Sequence, residues 1–301
     1  MLRLVDTASN HLVESLPAYS LLKTHAYEAL HALHVTGSSS YIRIRNLFAE
    51  FCQPRCRTCP DFGPFLYLPS MIRCCYKCNF IRPVFELARV SDLRFRFGLS
   101  PADLKPVPIL HSILQPQIRL ARIKQAKDIG RRLYGTPKAM EAAYQARVQE
   151  HQEKYNRRIH QWEQTQLLGE ETPRPRYRAV REKLGHERDR TTLKMHATTP
   201  FPYWDRETRT LEPGTYCRAC TYHWEEKIAD DWRRPETMWH IHPPGREACY
   251  RAFLEAELPE HFRECAAVKA NYNLRRKKVR ARDRERGRVT FIVRLDDTGV
   301  S

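Results

Sequence analysis

Six of the ten cysteines in this chain fall within residues 52–78. Four of them, Cys56, Cys59, Cys75 and Cys78, form two C-x-x-C pairs with fifteen residues between them. A C-x-x-C pair sets two thiolates on one tight turn. Two such pairs can complete a tetrahedron around zinc, which takes sulfur ligands readily. Cys52 and Cys74 are left over. Either can replace a neighbour as ligand or pack as a small hydrophobe, and the spacing does not choose between these. A second set lies further on. Cys217 and Cys220 make another C-x-x-C, and His261 and Cys265 follow at H-x-x-x-C spacing, one helical turn apart on one face. Three sulfurs and an imidazole are a common structural zinc set. His223, Cys249 and the pair His240 and His242 compete as ligands there. Tyr216, Tyr222 and Trp224 are placed to shield the site from water. The expectation is about two structural zinc ions per chain, because each set fills four positions and leaves none for a reactive water.

No other motif argues for catalysis. H-E-x-x-H, G-x-S-x-G, a Walker loop and the H-x-E…P-C-x-x-C deaminase pattern are all absent. The carboxylates are scattered and no acid–base pair stands out. The first cysteine cluster has no histidine among its members, so it does not fit the interleaved sites of a RING ligase. The chain therefore reads as non-enzymatic.

The 301 residues suffice for about two domains at ~150 residues each. Net charge is +17 and hydrophobic content 42%. That excess favours acidic partners through its field, without specifying a fold. No apolar run reaches the roughly 18 residues of a membrane span. The first residues lack the apolar core of a signal peptide. The cysteines are therefore expected in a reducing, intracellular setting, nucleus or cytoplasm, where metal binding outranks disulfides.

The elements that must hold these ligands read as a predominantly helical α+β chain of small zinc-stapled modules, joined by a long helix and a linker. Residues 1–36 read as short helices, with Leu12, Leu16, Tyr19 and Leu22 at helical spacing and a break or restart at Pro17. The first zinc module spans 41–110. Tyr41, Ile42 and Ile44 suggest a short strand and Asn46 to Cys52 a helical turn, with Phe62, Phe65, Tyr67 and Leu68 as core filler. Ser100-Pro101 with Asp103 looks like a helix start. Segment 111–169 holds a strand at 117–123 and a helix opening at Thr136-Pro137. That helix carries the stripe Met140, Tyr144, Val148, Tyr155, Ile159 and Trp162 and stops at Gly169. Residues 170–213 read as a charged, proline-containing linker. A second zinc module at 214–273 and a basic tail at 274–301 complete the chain.

Two stretches resemble a known family. LVESLPAYSLLKTHAYEALHALHVTGSSS (12–40), followed by FCQPRCRTCPDFGPFLYLPSMIRCCYKC (51–78), is similar to the fungal F-box domain-containing proteins of the cysteine-rich type. There an F-box runs into C-x-x-C, D-F-G-P-F-L-x-L-P and C-C-x-x-C, matched here by Asp61 to Pro69 with Cys75 and Cys78. GTYCRACTYHWEE (214–226) and AFLEAELPEHFRECAAVKANYN (252–273) resemble the family's tail. The resemblance implies a substrate receptor that docks on the Skp adaptor of a cullin ubiquitin ligase and brings it an unidentified protein. The first docking helix of an F-box, with its Leu-Pro-x-Glu start, has no counterpart here. The expectation is a truncated gene model or a lost docking role. Leu2, Leu4, Val5, Leu12 and Val13 are the docking candidates, with packing among the N-terminal helices as the alternative.

A competing reading is a zinc-containing nucleic-acid-binding protein. It rests on the run Arg275, Arg276, Lys277, Lys278, Arg280 and Arg282, which continues to Arg288. Such a run gives salt-dependent, non-specific phosphate affinity. The cysteine spacing does not match the fungal binuclear zinc cluster. A third reading is an interaction module that uses the helix of residues 137–168.

Overall fold

The computed structural model describes residues 15–169, 172–177, 180, 184, 193–223 and 250–270. The chain divides into two compact units, Met1–Pro213 and Gly214–Ser301. The described fold is α+β and mostly helical, with small antiparallel sheets.

In the first unit, helices α1 (Pro17–His25) and α2 (Tyr27–Val35) meet at Ala26. Pro17 occupies the first turn of α1, where its missing N–H costs nothing. Gly37, at φ +71°, turns the chain into a 3-10 segment, Ser38–Tyr41, ahead of α3 (Ile44–Phe51). The strand expected at Tyr41, Ile42 and Ile44 is therefore not formed. Ile44, Leu47 and Phe51 recur at helical spacing, so Ile44 belongs to the apolar face of α3.

β1 (Phe65–Tyr67) and β2 (Ile72–Cys74) form a hairpin with Leu66 opposite Arg73. Alternate residues of β1 serve two cores. Tyr67 joins the cysteines, whereas Leu66 and then Leu68 pack with Leu22, Leu33, Leu47 and Phe51 of the helices. Next come α4 (Tyr76–Ile81), β3 (Leu87–Arg89) and α5 (Val90–Phe97). Gly98 ends α5 at φ +60°.

The helix expected after Ser100 is instead a run of turns. The side chains do close on each other: Asp103 Oδ2 accepts from Ser100 N at 2.7 Å and from Ser100 Oγ at 2.6 Å. Pro106 and Pro108 then remove donors and restrict the residues before them, so the turn does not propagate.

β4 (Leu110–His111) and β5 (Arg119–Arg122) complete a sheet of order β3-β5-β4, with the strand expected at 117–123 in its centre. α6 (Ile123–Tyr134) and α7 (Pro137–Leu167) follow, and Thr136 Oγ1 caps α7 by accepting from Ala139 N at 3.1 Å. At ~1.5 Å per residue α7 is about 46 Å long. Its first half packs on the core, through Met140 and Tyr144 and then Arg147 and His151, which meet the end of α5.

The expected linker is corrected in its second half. Residues 193–213 are folded into the first unit. β6 (Thr198–Pro200) adds to the free edge of β1, pairing Leu66 with Thr199, and Pro200 sits on the outer strand, where a missing N–H is tolerated. Phe201 is buried 5.7 Å from the Phe51 ring centre. β7 (Tyr203–Trp204) and β8 (Leu211–Glu212) form a hairpin beyond it.

In the second unit, β9 (Thr215–Tyr216) pairs with β10 (Ala252–Phe253), and α8 (Leu258–Glu264) and α9 (Ala266–Lys269) follow. Among the described residues, no helix is long and apolar enough to cross a membrane.

Candidate metal centres

The first cysteine knuckle forms in the loop after α3. The Gln53 side chain bridges Arg55, donating to its carbonyl at 2.7 Å and accepting from its N–H at 3.0 Å. Cys56 N donates to the Asp61 carbonyl at 2.9 Å and Gly63 N to that of Pro54 at 2.9 Å, so the loop folds back on itself. Each residue of the D-F-G-P stretch has a task. Phe62 is buried, and the Pro64 carbonyl accepts from Phe201 N at 2.8 Å. Gly63 lies against Arg73, where an added Cβ would stand 2.5 Å from Arg73 Cγ.

Arg73 fastens this loop. Its guanidinium donates to the carbonyls of Gly63 (2.6 Å), Phe201 (2.6 Å) and Pro202 (2.7 Å), and to that of Glu50 at 3.2–3.3 Å. Glu50 supplies the counter-charge. Its carboxylate pairs with Arg57 and accepts from Arg73 N at 3.0 Å. Burial draws the Arg73 pKa down to about 9, which leaves it charged at neutral pH.

The second knuckle opens α4. Cys75 is the N-cap, and its sulfur accepts from Cys78 N at 3.4 Å. Cys56, Cys59, Cys75 and Cys78 thereby present sulfurs that all lie within 4.8 Å of one another. Cys56, Cys75 and Cys78 are buried and Cys59 is half-buried. The Cys59–Cys75 sulfur separation is 3.6 Å. A disulfide needs about 2.05 Å. Four sulfurs about 2.3 Å from a central zinc stand about 3.8 Å apart. Cys74 is fully buried beside this set but is not one of its four ligands, and Cys52 lies at the edge of the helical core.

Three of the four thiols are shifted by burial and by one another. The hydrogen bond with Cys75 draws the Cys56 thiol down to about 4 and pushes the Cys75 thiol well up. Burial pushes Cys59 up to about 12. Burial raises Cys74 too. Ionising Cys56 thus makes Cys75 hold its proton, and a dication between them relieves that opposition.

The second centre is assembled by the β9–β10 pair. Tyr216 faces Ala252, which brings Cys217 beside the chain leading into α8. Residues 218–223 are helical, placing Cys220 one turn beyond Cys217. Leu254 N donates to Glu257 Oε2 at 3.0 Å and Pro259 lies in the first turn of α8. His261 stacks on Phe253 at 4.3 Å, which aims its Nε2 at Cys220 Sγ, 3.7 Å away. Cys265 ends α8, with its sulfur 3.4 Å from that of Cys220. Cys217, Cys220, His261 and Cys265 again present ligand atoms within 4.8 Å. The hydrogen bond with Cys220 draws Cys217 down to about 5 and raises Cys220. Tyr222 is buried here and His223 is exposed.

Both sets expected from spacing are therefore brought together in the fold. Trp224, His240, His242 and Cys249 lie outside the described residues. So do the docking candidates Leu2, Leu4, Val5, Leu12 and Val13, and the basic residues Arg275, Arg276, Lys277, Lys278, Arg280 and Arg282. Sequence reasoning missed Glu50, Arg73 and Phe201. The one available signal was Gly63, whose place in D-F-G-P marks a close approach by another group. No family model, no curated protein and no solved structure matches this chain.

Proposed function

We propose that the chain is a non-catalytic adaptor built on two structural zinc sites, acting as an F-box-like substrate receptor of a cullin-type ubiquitin ligase. The observation that carries the zinc reading is the pair of closed four-ligand sets, one of four sulfurs and one of three sulfurs and a nitrogen. Soft, thiolate-rich tetrahedral sets select zinc over magnesium or calcium, and four protein ligands leave no open position for a metal-bound water. Bound zinc would supply the positive charge that lets the thiols of each set ionise together, with His261 binding as neutral imidazole. The chain's residues do the rest: Arg73 and Phe253 fix the loops that present them.

The adaptor role rests on the sequence resemblance of residues 12–40, 51–78, 214–226 and 252–273. The test is co-purification of this chain with the fungal Skp adaptor. A stable one-to-one complex supports the reading. A folded, zinc-loaded chain that does not associate overturns it and leaves a zinc-stapled module with another partner.

The net charge of +17 and the basic run near 275–288 favour one second reading, a nucleic-acid-binding protein. DNA binding at physiological salt that survives deletion of 275–288 supports it. Binding that disappears with the tail reduces it to non-specific charge.

A further inference from the structure

Beyond its first turns, the long helix α7 carries an aromatic stripe that meets the core only at its start, where the His151 ring lies edge-on 5.9 Å from that of Phe95. His151, Tyr155 and Trp162 lie along one face and are half-buried, while their flanks are exposed. The stripe is covered from within the chain. After Gly169, at φ +83°, the segment Thr172-Pro173-Arg174-Pro175-Arg176-Tyr177 returns along it without secondary structure.

The contacts run antiparallel to the helix. The Thr172 carbonyl accepts from Trp162 Nε1 at 2.8 Å and from Gln166 Nε2 at 3.3 Å. The Arg174 guanidinium lies 5.8 Å from the centre of the Trp162 ring. The Tyr177 ring meets Tyr155 at 4.8 Å and His151 at 5.8 Å, both edge-on. The lengths agree. Five steps of an extended proline-type chain at ~3.1 Å cover about 15 Å, and the eleven helical steps from Trp162 to His151 at ~1.5 Å cover about 16 Å.

These contacts suit an extended, proline-containing segment. An indole N–H meets a backbone carbonyl, a guanidinium lies against the indole ring, a tyrosine packs edge-on against two rings, and Pro173 and Pro175 favour the extended chain in advance, so little entropy is lost on binding. We propose that the His151–Tyr155–Trp162 stripe is a binding groove for extended proline–arginine segments. Residues 172–177 occupy it in cis, and a partner segment of the same chemistry displaces them. The cis clasp is a light one, since Tyr177 stays 41% exposed. It persists because a short tether gives an effective concentration on the order of millimolar. Next to Tyr177 a cleft of roughly 530 Å³, lined by Arg96, Tyr144 and Val148, extends the groove and gives a longer partner further purchase.

The test uses the full chain with residues 172–177 replaced by a glycine–serine sequence of equal length, and the synthetic peptide Thr-Pro-Arg-Pro-Arg-Tyr, titrated by calorimetry. Saturable one-to-one binding is expected, at least tenfold weaker in the unaltered chain, where the groove is filled. Trp162→Ala in the replaced chain is expected to abolish binding while circular dichroism stays unchanged. Trp162→Phe, which keeps a ring and removes the donor, is expected to weaken binding severalfold. Absence of binding to the replaced chain overturns the proposal. So does affinity that is unaltered by both Trp162 substitutions, which would reduce the peptide's attraction to charge alone.

Discussion

The buried guanidinium of Arg73 donates to the Phe201 carbonyl at 2.6 Å and lies 4.7 Å from the centre of the same residue's ring, across 128 residues of sequence. One side chain therefore joins the end of α3, the loop of the first metal centre and the strand that follows the charged segment. We expect Arg73→Ala to leave the carbonyls of Gly63, Phe201 and Pro202 without these donors and to lower stability by ~3 kcal/mol or more. Arg73→Lys rescues little of this, because an ammonium does not reproduce the planar fork. Urea denaturation of each variant measures both losses.

Gly63→Ala tests the same joint from the other side. Its Cβ meets Arg73 Cγ and, at 3.2 Å, the backbone N of Cys56, so neither neighbour yields without disturbing the loop. A loss of about 1–3 kcal/mol is expected, as for other overpacked sites. Zinc retention is expected to weaken with it, since Cys56 must shift, and competition with a chromogenic chelator reads that change.

Gly98 presents a separate case, in the α5–α7 contact. Arg147 donates to the carbonyls of Phe95 (2.8 Å) and Arg96 (3.1 Å) and to the Tyr134 hydroxyl (3.0 Å), closing the end of α5. A Cβ on Gly98 would overlap that hydroxyl, at a φ of +60° that L side chains rarely adopt. We expect Gly98→Ala to cost about 2 kcal/mol without altering the metal content. Thermal denaturation with parallel metal analysis separates this site from the metal loops.

Cys56→Ser is expected to abolish hydrogen-exchange protection in residues 52–100. The structure extends that expectation to 198–201, because among the described residues β6 joins its sheet through β1. Unchanged protection in 52–100 would show that the first centre is not structural. Metal affinity itself is expected to rise with pH. Cys59, held up near 12, and Cys75, also raised, keep their protons at neutral pH and release them on binding. Calorimetry in buffers of different ionisation enthalpy detects those protons.

What the sequence made legible follows from how local each signal is. The three C-x-x-C pairs, the H-x-x-x-C pair and the Thr136-Pro137 helix start are encoded within a few residues, and the fold contains all of them. The role of Arg73 was hidden because a buried arginine is identified by its partners, and those lie at residues 50, 63, 201 and 202. The strand at Thr198–Pro200 was hidden for the same reason, since its flanking prolines and charges resemble a linker until β1 offers an edge. Ser100 to Asp103 misled in another way. The side-chain box that starts a helix also closes an isolated turn, and Pro106 and Pro108 decide which one forms.

The leftover cysteines give the sharpest test of the ligand set. Cys74 and Cys75 are adjacent, and spacing alone permits either as a ligand. In the fold, the Cys75 sulfur faces Cys59 at 3.6 Å, whereas Cys74 is fully buried on β2 among Tyr67, Phe85 and Leu87. Cys74→Ala removes a small buried group and is expected to cost about 1 kcal/mol while the chain keeps two zinc ions. Cys75→Ala removes a ligand, and Cys265→Ala does the same in the second unit. Each is expected to leave one ion per chain by elemental mass spectrometry. Loss of a zinc ion from Cys74→Ala with retention in Cys75→Ala would move the ligand by one residue and overturn the arrangement at α4.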